Sequence, residues 1–103
     1  MRMLLKAVMD TEAGNEVFRA GKAAEGLDRI NDLLQPEAVY AAGEDGQRAL
    51  FVVFDLADPS QLPVISEPLF LLAKAKITVT PCMNLEELKK GLEEATRHMP
   101  PQG

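Results

Sequence analysis

The chain has 103 residues, 47% of them hydrophobic and 26% charged, the ordinary balance of one globular domain. Its net charge of −5 repels phosphate backbones and anionic bilayers, which argues against nucleic acid or a membrane surface as partner. One cysteine, Cys82, excludes an internal disulfide, and one histidine, His98, excludes a two- or three-histidine metal centre; no metal or cofactor is expected.

Met3 to Met9 reads as a first strand. Met3, Leu5, Ala7 and Met9 share one face, and Leu4, Lys6 and Val8 the other. Both faces are mainly apolar, as in a central strand covered on two sides. The N-terminal run is too short for a signal peptide, and no run approaches the roughly 18 apolar residues of a membrane span, so a cytoplasmic protein is expected. Asp10-Thr11 supplies a helix start.

A long helix is predicted from Glu12 to Leu34, with Val17, Ala20, Ala24, Leu27, Ile30, Leu33 and Leu34 in one stripe. Gly21 or Gly26 marks a bend or a close approach to the sheet, and Pro36 stops the helix. Strands follow over Glu37–Ala42 and Arg48–Asp55, around a tight turn at Asp45-Gly46.

Asp58-Pro59-Ser60-Gln61 reads as a capped helix start. Leu62, Ile65, Leu69 and Leu72 carry its stripe, and Pro68 is expected to kink or break it. A last strand runs from Lys76 to Cys82, with Pro81 marking an edge or an end. Asn84 and Glu87 form a capping box for a final helix, whose Leu85, Leu88, Leu92 and Ala95 make a stripe to be buried. Glu86 with Lys90 and Lys89 with Glu93 are spaced for ion pairs on its solvated face. Residues 1–99 make one domain, and residues 100–103 a flexible tail.

The element order is βαββαβ with one added helix, which points to an α+β ferredoxin-like sandwich with a four-stranded antiparallel sheet. Helices cover one sheet face, and the other is apolar enough to need a cover. A twofold homodimer, sheet to sheet, is the simplest solution.

Phe51-Val52-Val53-Phe54-Asp55, followed by a helix holding Glu67-Pro68-Leu69-Phe70, resembles the dimeric α+β barrel superfamily, and within it muconolactone-isomerase-like and YciI-like proteins. The whole chain is also similar to a small family of uncharacterised proteins of this length. The resemblance implies a sheet-to-sheet dimer enclosing a cavity. It carries no catalytic residue across: YciI-like proteins use a histidine and aspartate near the sheet, whereas His98 lies in the added helix, and the chain has no tryptophan.

Five residues are candidates for binding a ligand. Lys6 sits mid-strand among apolar neighbours, where it can hold an anionic group or act as a base; the plainer account is a lysine that snorkels to the rim or pairs with a strand-end carboxylate. Tyr40 can hydrogen-bond a ligand from its strand. Thr78 and Thr80 share a face of the last strand and offer a polar patch, although threonine is also simply a good strand former. Glu67, before Pro68, can point into a cavity mouth.

Two functions follow. The first is a module that binds a small organic molecule or merely self-associates. The second is a cofactor-free isomerase or monooxygenase-like enzyme using Lys6 and Tyr40. An enzyme needs convergent polar groups in a roomy pocket, whereas a structural dimer fills that space with side chains.

Overall fold

The structure, a computed structural model, describes residues 1–101. Eight elements follow one another: β1 (Arg2–Val8), α1 (Thr11–Arg19), α2 (Ala23–Leu34), β2 (Ala38–Glu44), β3 (Gln47–Asp55), α3 (Gln61–Ala73), β4 (Lys76–Pro81) and α4 (Leu85–Arg97). The strands form one open antiparallel sheet in the order β2-β3-β1-β4. The two most apolar strands, β1 and β3, take the centre, and Pro81 ends the edge strand β4, as its missing N–H requires.

The core lies on one sheet face. Met3, Leu5 and Ala7 of β1 meet Leu50, Val52 and Phe54 of β3, and Leu34 of α2 and Ile65 of α3 close over them. Ile77 and Val79 of β4, Ile30 of α2 and Leu69 of α3 extend this layer. The strict alternation of buried and half-buried residues along β1 follows from this one-sided cover.

The expected first helix is two helices. Gly21 adopts φ 70°, and the Gly21 and Lys22 amides donate to Phe18 and Val17 carbonyls. This paired closure needs a left-handed residue, which only glycine supplies without strain. Gly26, the other candidate for the bend, stays inside α2. The hairpin is longer than expected: Glu44 pairs with Gln47, leaving a two-residue turn in which Asp45 and Gly46 both have positive φ, the form that matches strand twist.

α3 runs unbroken through Pro68. Ile65, Leu69 and Ala73 recur at four-residue steps, the first and last buried and the middle one packed on the core, so packing holds both halves of the helix in line despite the missing N–H. Its start is held by side chains: Gln61 Oε1 accepts from the Ala57 and Asp58 amides, and Asp58 Oδ1 accepts from the Ser60 amide. Those bonds to Ser60 hold the Asp58 carboxyl below its ordinary range.

α4 departs most from expectation. Its capping box is present in full, yet no residue of the helix is buried. Leu85 is 67% exposed and Leu92 56%, so the stripe expected to be buried has no cover within the chain. Within this helix Glu94 pairs with Arg97 and stands 3.2 Å from His98 Nε2, in place of the two spacings expected earlier in the helix. The molecule measures 63 × 29 × 20 Å with a radius of gyration of 17.3 Å, against about 13 Å for a compact domain of this length. Pro100 and Pro101 carry no regular structure; the rest of the expected tail, 102–103, lies outside the described residues.

Candidate functional site

The uncovered sheet face carries the side chains that alternate with the core. Tyr40 lies opposite Phe51, Phe51 opposite Lys6, and Lys6 opposite Thr78. Directly paired residues point to the same side of a sheet, so these four form one row across all four strands, about 14 Å from end to end at about 4.8 Å per strand. A parallel row holds Ala38, Val53, Leu4 and Thr80. A third holds Ala42, Ala49, Val8 and Lys76.

Four of the five candidate residues, Lys6, Tyr40, Thr78 and Thr80, therefore share this face. Their frame is apolar: Leu4, Val8, Phe51 and Val53 are half-buried, and Tyr40 is 71% exposed. Glu67 does not join them. It is exposed on α3, and α3 packs through Ile65 against the opposite sheet face. The helix stripe dictates this: Ile65 and Leu69 turn inward and flank Glu67, which is left on the outside.

Lys6 Nζ stands 2.7 Å from Glu44 Oε2, with both side chains about one-third exposed. This is the plainer of its two expected roles, a lysine paired with a carboxylate at a strand end. The pairing was legible only with the correct hairpin register: a two-residue turn at Asp45-Gly46 puts Glu44 in β2, on the same face as Tyr40 and Lys6. Phe51, at the centre of the first row, belongs to a run, Leu50-Phe51-Val52-Val53-Phe54, that is apolar on both faces, and composition does not distinguish a strand covered on two sides from one awaiting a cover.

At one end of this face, Arg2 links β1 to α4 and to the residue before β2. Its Nε donates to Glu37 Oε1 at 3.1 Å and its Nη1 to Glu87 Oε1. Glu87 also accepts from the Asn84 amide. That amide bond, followed by Arg2, holds the Glu87 carboxyl below its ordinary range, while the two carboxylates raise the Arg2 guanidinium.

Two surface concavities lie elsewhere. One, of about 250 Å³, is lined by Val8, Asp10, Glu44, Asp45, Gln47, Lys74 and Lys76. Its charges are mixed, and Asp10 is already engaged as the cap of α1, accepting from the Ala13 amide. The other, of about 320 Å³, lies between α1 and the end of α3. Neither is lined by Lys6, Tyr40, Thr78, Thr80 or Glu67. Among the described residues, no three His, Cys, Asp or Glu side chains gather closely enough to hold a metal ion, and no helix is long and apolar enough to cross a membrane.

No protein-family model matches the chain, and none of the curated proteins does.

Proposed function

We propose that the chain is a ferredoxin-like protomer that pairs sheet to sheet with a second copy, in the manner of the dimeric α+β barrel proteins, and that it binds a small, partly apolar organic molecule between the two sheets. The observation that carries this reading is the row Tyr40–Phe51–Lys6–Thr78, which sets three polar groups in an apolar frame on a face that no helix covers. The strand order and the one-sided helix layer support the ferredoxin-like part. Leu4, Val8, Phe51 and Val53 supply the driving force, since each buried CH₂ contributes about 0.8 kcal/mol.

Binding is favoured over catalysis by what the polar groups do. Lys6 and Glu44, the base and the acid on this face, are engaged with each other, and Glu67 lies on the helix side, so the face offers no free acid and base to an isomerase.

Sedimentation equilibrium on the wild type and on Phe51→Lys tests the assembly. The wild type is expected to weigh as a dimer and Phe51→Lys as a folded monomer. 8-Anilinonaphthalene-1-sulfonate, an aromatic anion, tests the cavity: its fluorescence is expected to rise with the wild type and much less with Lys6→Ala. A wild-type monomer at all concentrations overturns the dimer. A dimer that leaves the dye dark reduces the function to self-association.

A further inference from the structure

The open sheet is not the only uncovered apolar surface. Leu85, Leu88 and Leu92 are exposed along α4, with Met83 before them and Met99 after. We infer that α4 is an arm exchanged between two copies of this chain, its leucine stripe lying on the partner protomer. The inference rests on the sheet-to-sheet dimer proposed above and adds a second element to it.

The arm cannot readily turn back. Only Cys82, Met83 and Asn84 separate β4 from α4, and the Cys82 amide donates to the Arg2 carbonyl. Glu87 is fixed on both sides, by Asn84 through the capping box and by Arg2 through the ion pair. The first turn of α4 is thus tied to the start of β1, and no residue of the helix is buried against its own chain. A stripe held away from its own core is covered only by another molecule.

Area identifies that molecule. Four strands about 4.8 Å apart, each with about six residues rising about 3.3 Å, make the open face roughly 400 Å². That is about half of the roughly 800 Å² per partner buried in a stable interface. The 13-residue α4 is about 20 Å long and about 10 Å wide, so one side of it covers about 200 Å². In a twofold dimer each protomer gives one arm and receives another, and with the received arm seated beside the sheet rather than on it the total reaches about 800 Å² per partner. The two surfaces are also continuous: Arg2, whose side chain lies on the Leu4–Lys6 face, is the residue that grips the first turn of α4. One partner covering the sheet is therefore placed to take the arm.

The test combines sedimentation equilibrium with amide hydrogen exchange, at protein concentrations above and below dimer dissociation, on the wild type and on Leu88→Glu/Leu92→Glu. The expected result is that α4 amides are protected in the dimer and exchange freely once it dissociates. The double variant is expected to weaken dimerisation by at least about tenfold, while β1 and β3 amides stay protected, showing that the domain still folds. If the wild type dimerises but α4 exchanges freely and the double variant dimerises equally well, the arm is overturned and the sheet dimer stands. If α4 is protected in the monomer, it folds onto its own chain and the exchange is overturned. A wild type that never dimerises removes the sheet dimer and the arm together.

Discussion

Arg2 and Glu87, 85 positions apart, join the first residue of β1 to the first turn of α4. Glu87 is held twice, since its carboxylate also caps its own helix through the Asn84 amide. Both interactions need the ionised carboxyl or are strengthened by it, so the Glu87 pKa lies below its ordinary value of 4.5.

The consequence for pH has a definite sign. A carboxyl whose pKa is lower folded than unfolded stabilises the fold fully above the unfolded pKa and loses that contribution as pH falls through the folded one. The first turn of α4 is therefore expected to loosen as pH drops below the ordinary carboxylate range. Glu87→Gln keeps a capping side chain but not the charge facing Arg2. It should already be loose at neutral pH, with a flatter acid dependence. Amide exchange of residues 85–90 across this range checks both, and an unchanged acid profile in Glu87→Gln would remove the ion pair from the account.

The glycines of the first helical stretch make opposite predictions. Gly26→Ala is expected to stabilise the protein by about 1 kcal/mol, since a Cβ there meets nothing within 4 Å and alanine is the better helix former. Gly21→Ala is expected to cost about 1–2 kcal/mol, because φ is 70° and a Cβ strains the left-handed region. Urea midpoints of the two variants should move in opposite directions.

Those glycines also show how far the sequence could be read. The four strands, the Asp45-Gly46 turn and the Asn84–Glu87 box were legible, because each depends on neighbours within a few residues. A glycine that breaks a helix looks the same in sequence as one that sits inside it. In the structure Gly21 takes φ 70° and Gly26 stays inside α2, a difference that their neighbours in sequence do not announce. The same holds for α4: periodicity identified the stripe from Leu85 to Ala95 but not what covers it. The face of Lys6 followed once β1 was aligned with β3. Its link to Glu44 depended on one pair in the hairpin register.

The two faces of β1 should respond differently to truncation. Leu5 is 1% exposed among core residues, and Leu5→Ala is expected to cost about 2–5 kcal/mol, a large part of a typical 5–15 kcal/mol. Leu4, one residue earlier, lies on the open face. Leu4→Ala should cost well under half as much in dilute protein and progressively more as concentration rises, because the cover proposed for it is the second copy. Thermal midpoints measured over a range of concentrations separate the two. A Leu4→Ala penalty independent of concentration would contradict the covered face.

Whether the space between the sheets of the proposed dimer is filled or open turns on Lys6 and Glu44. Within one chain their pair is partly exposed, and such pairs contribute about 0–1 kcal/mol. Replacing both, as Lys6→Met/Glu44→Gln, leaves no unpaired charge behind, so the monomer should lose no more than about 1 kcal/mol. In a solidly packed dimer the native pair would be desolvated at a cost its attraction barely offsets, and the double variant would dimerise more tightly than the wild type. In a dimer with a ligand cavity, the lysine instead faces bound anion, and the variant should keep its dimer while losing the fluorescence of bound 8-anilinonaphthalene-1-sulfonate. The proposed function expects the second result. Tighter association of the variant, with no dye bound by the wild type, would leave self-association as the whole role of this face.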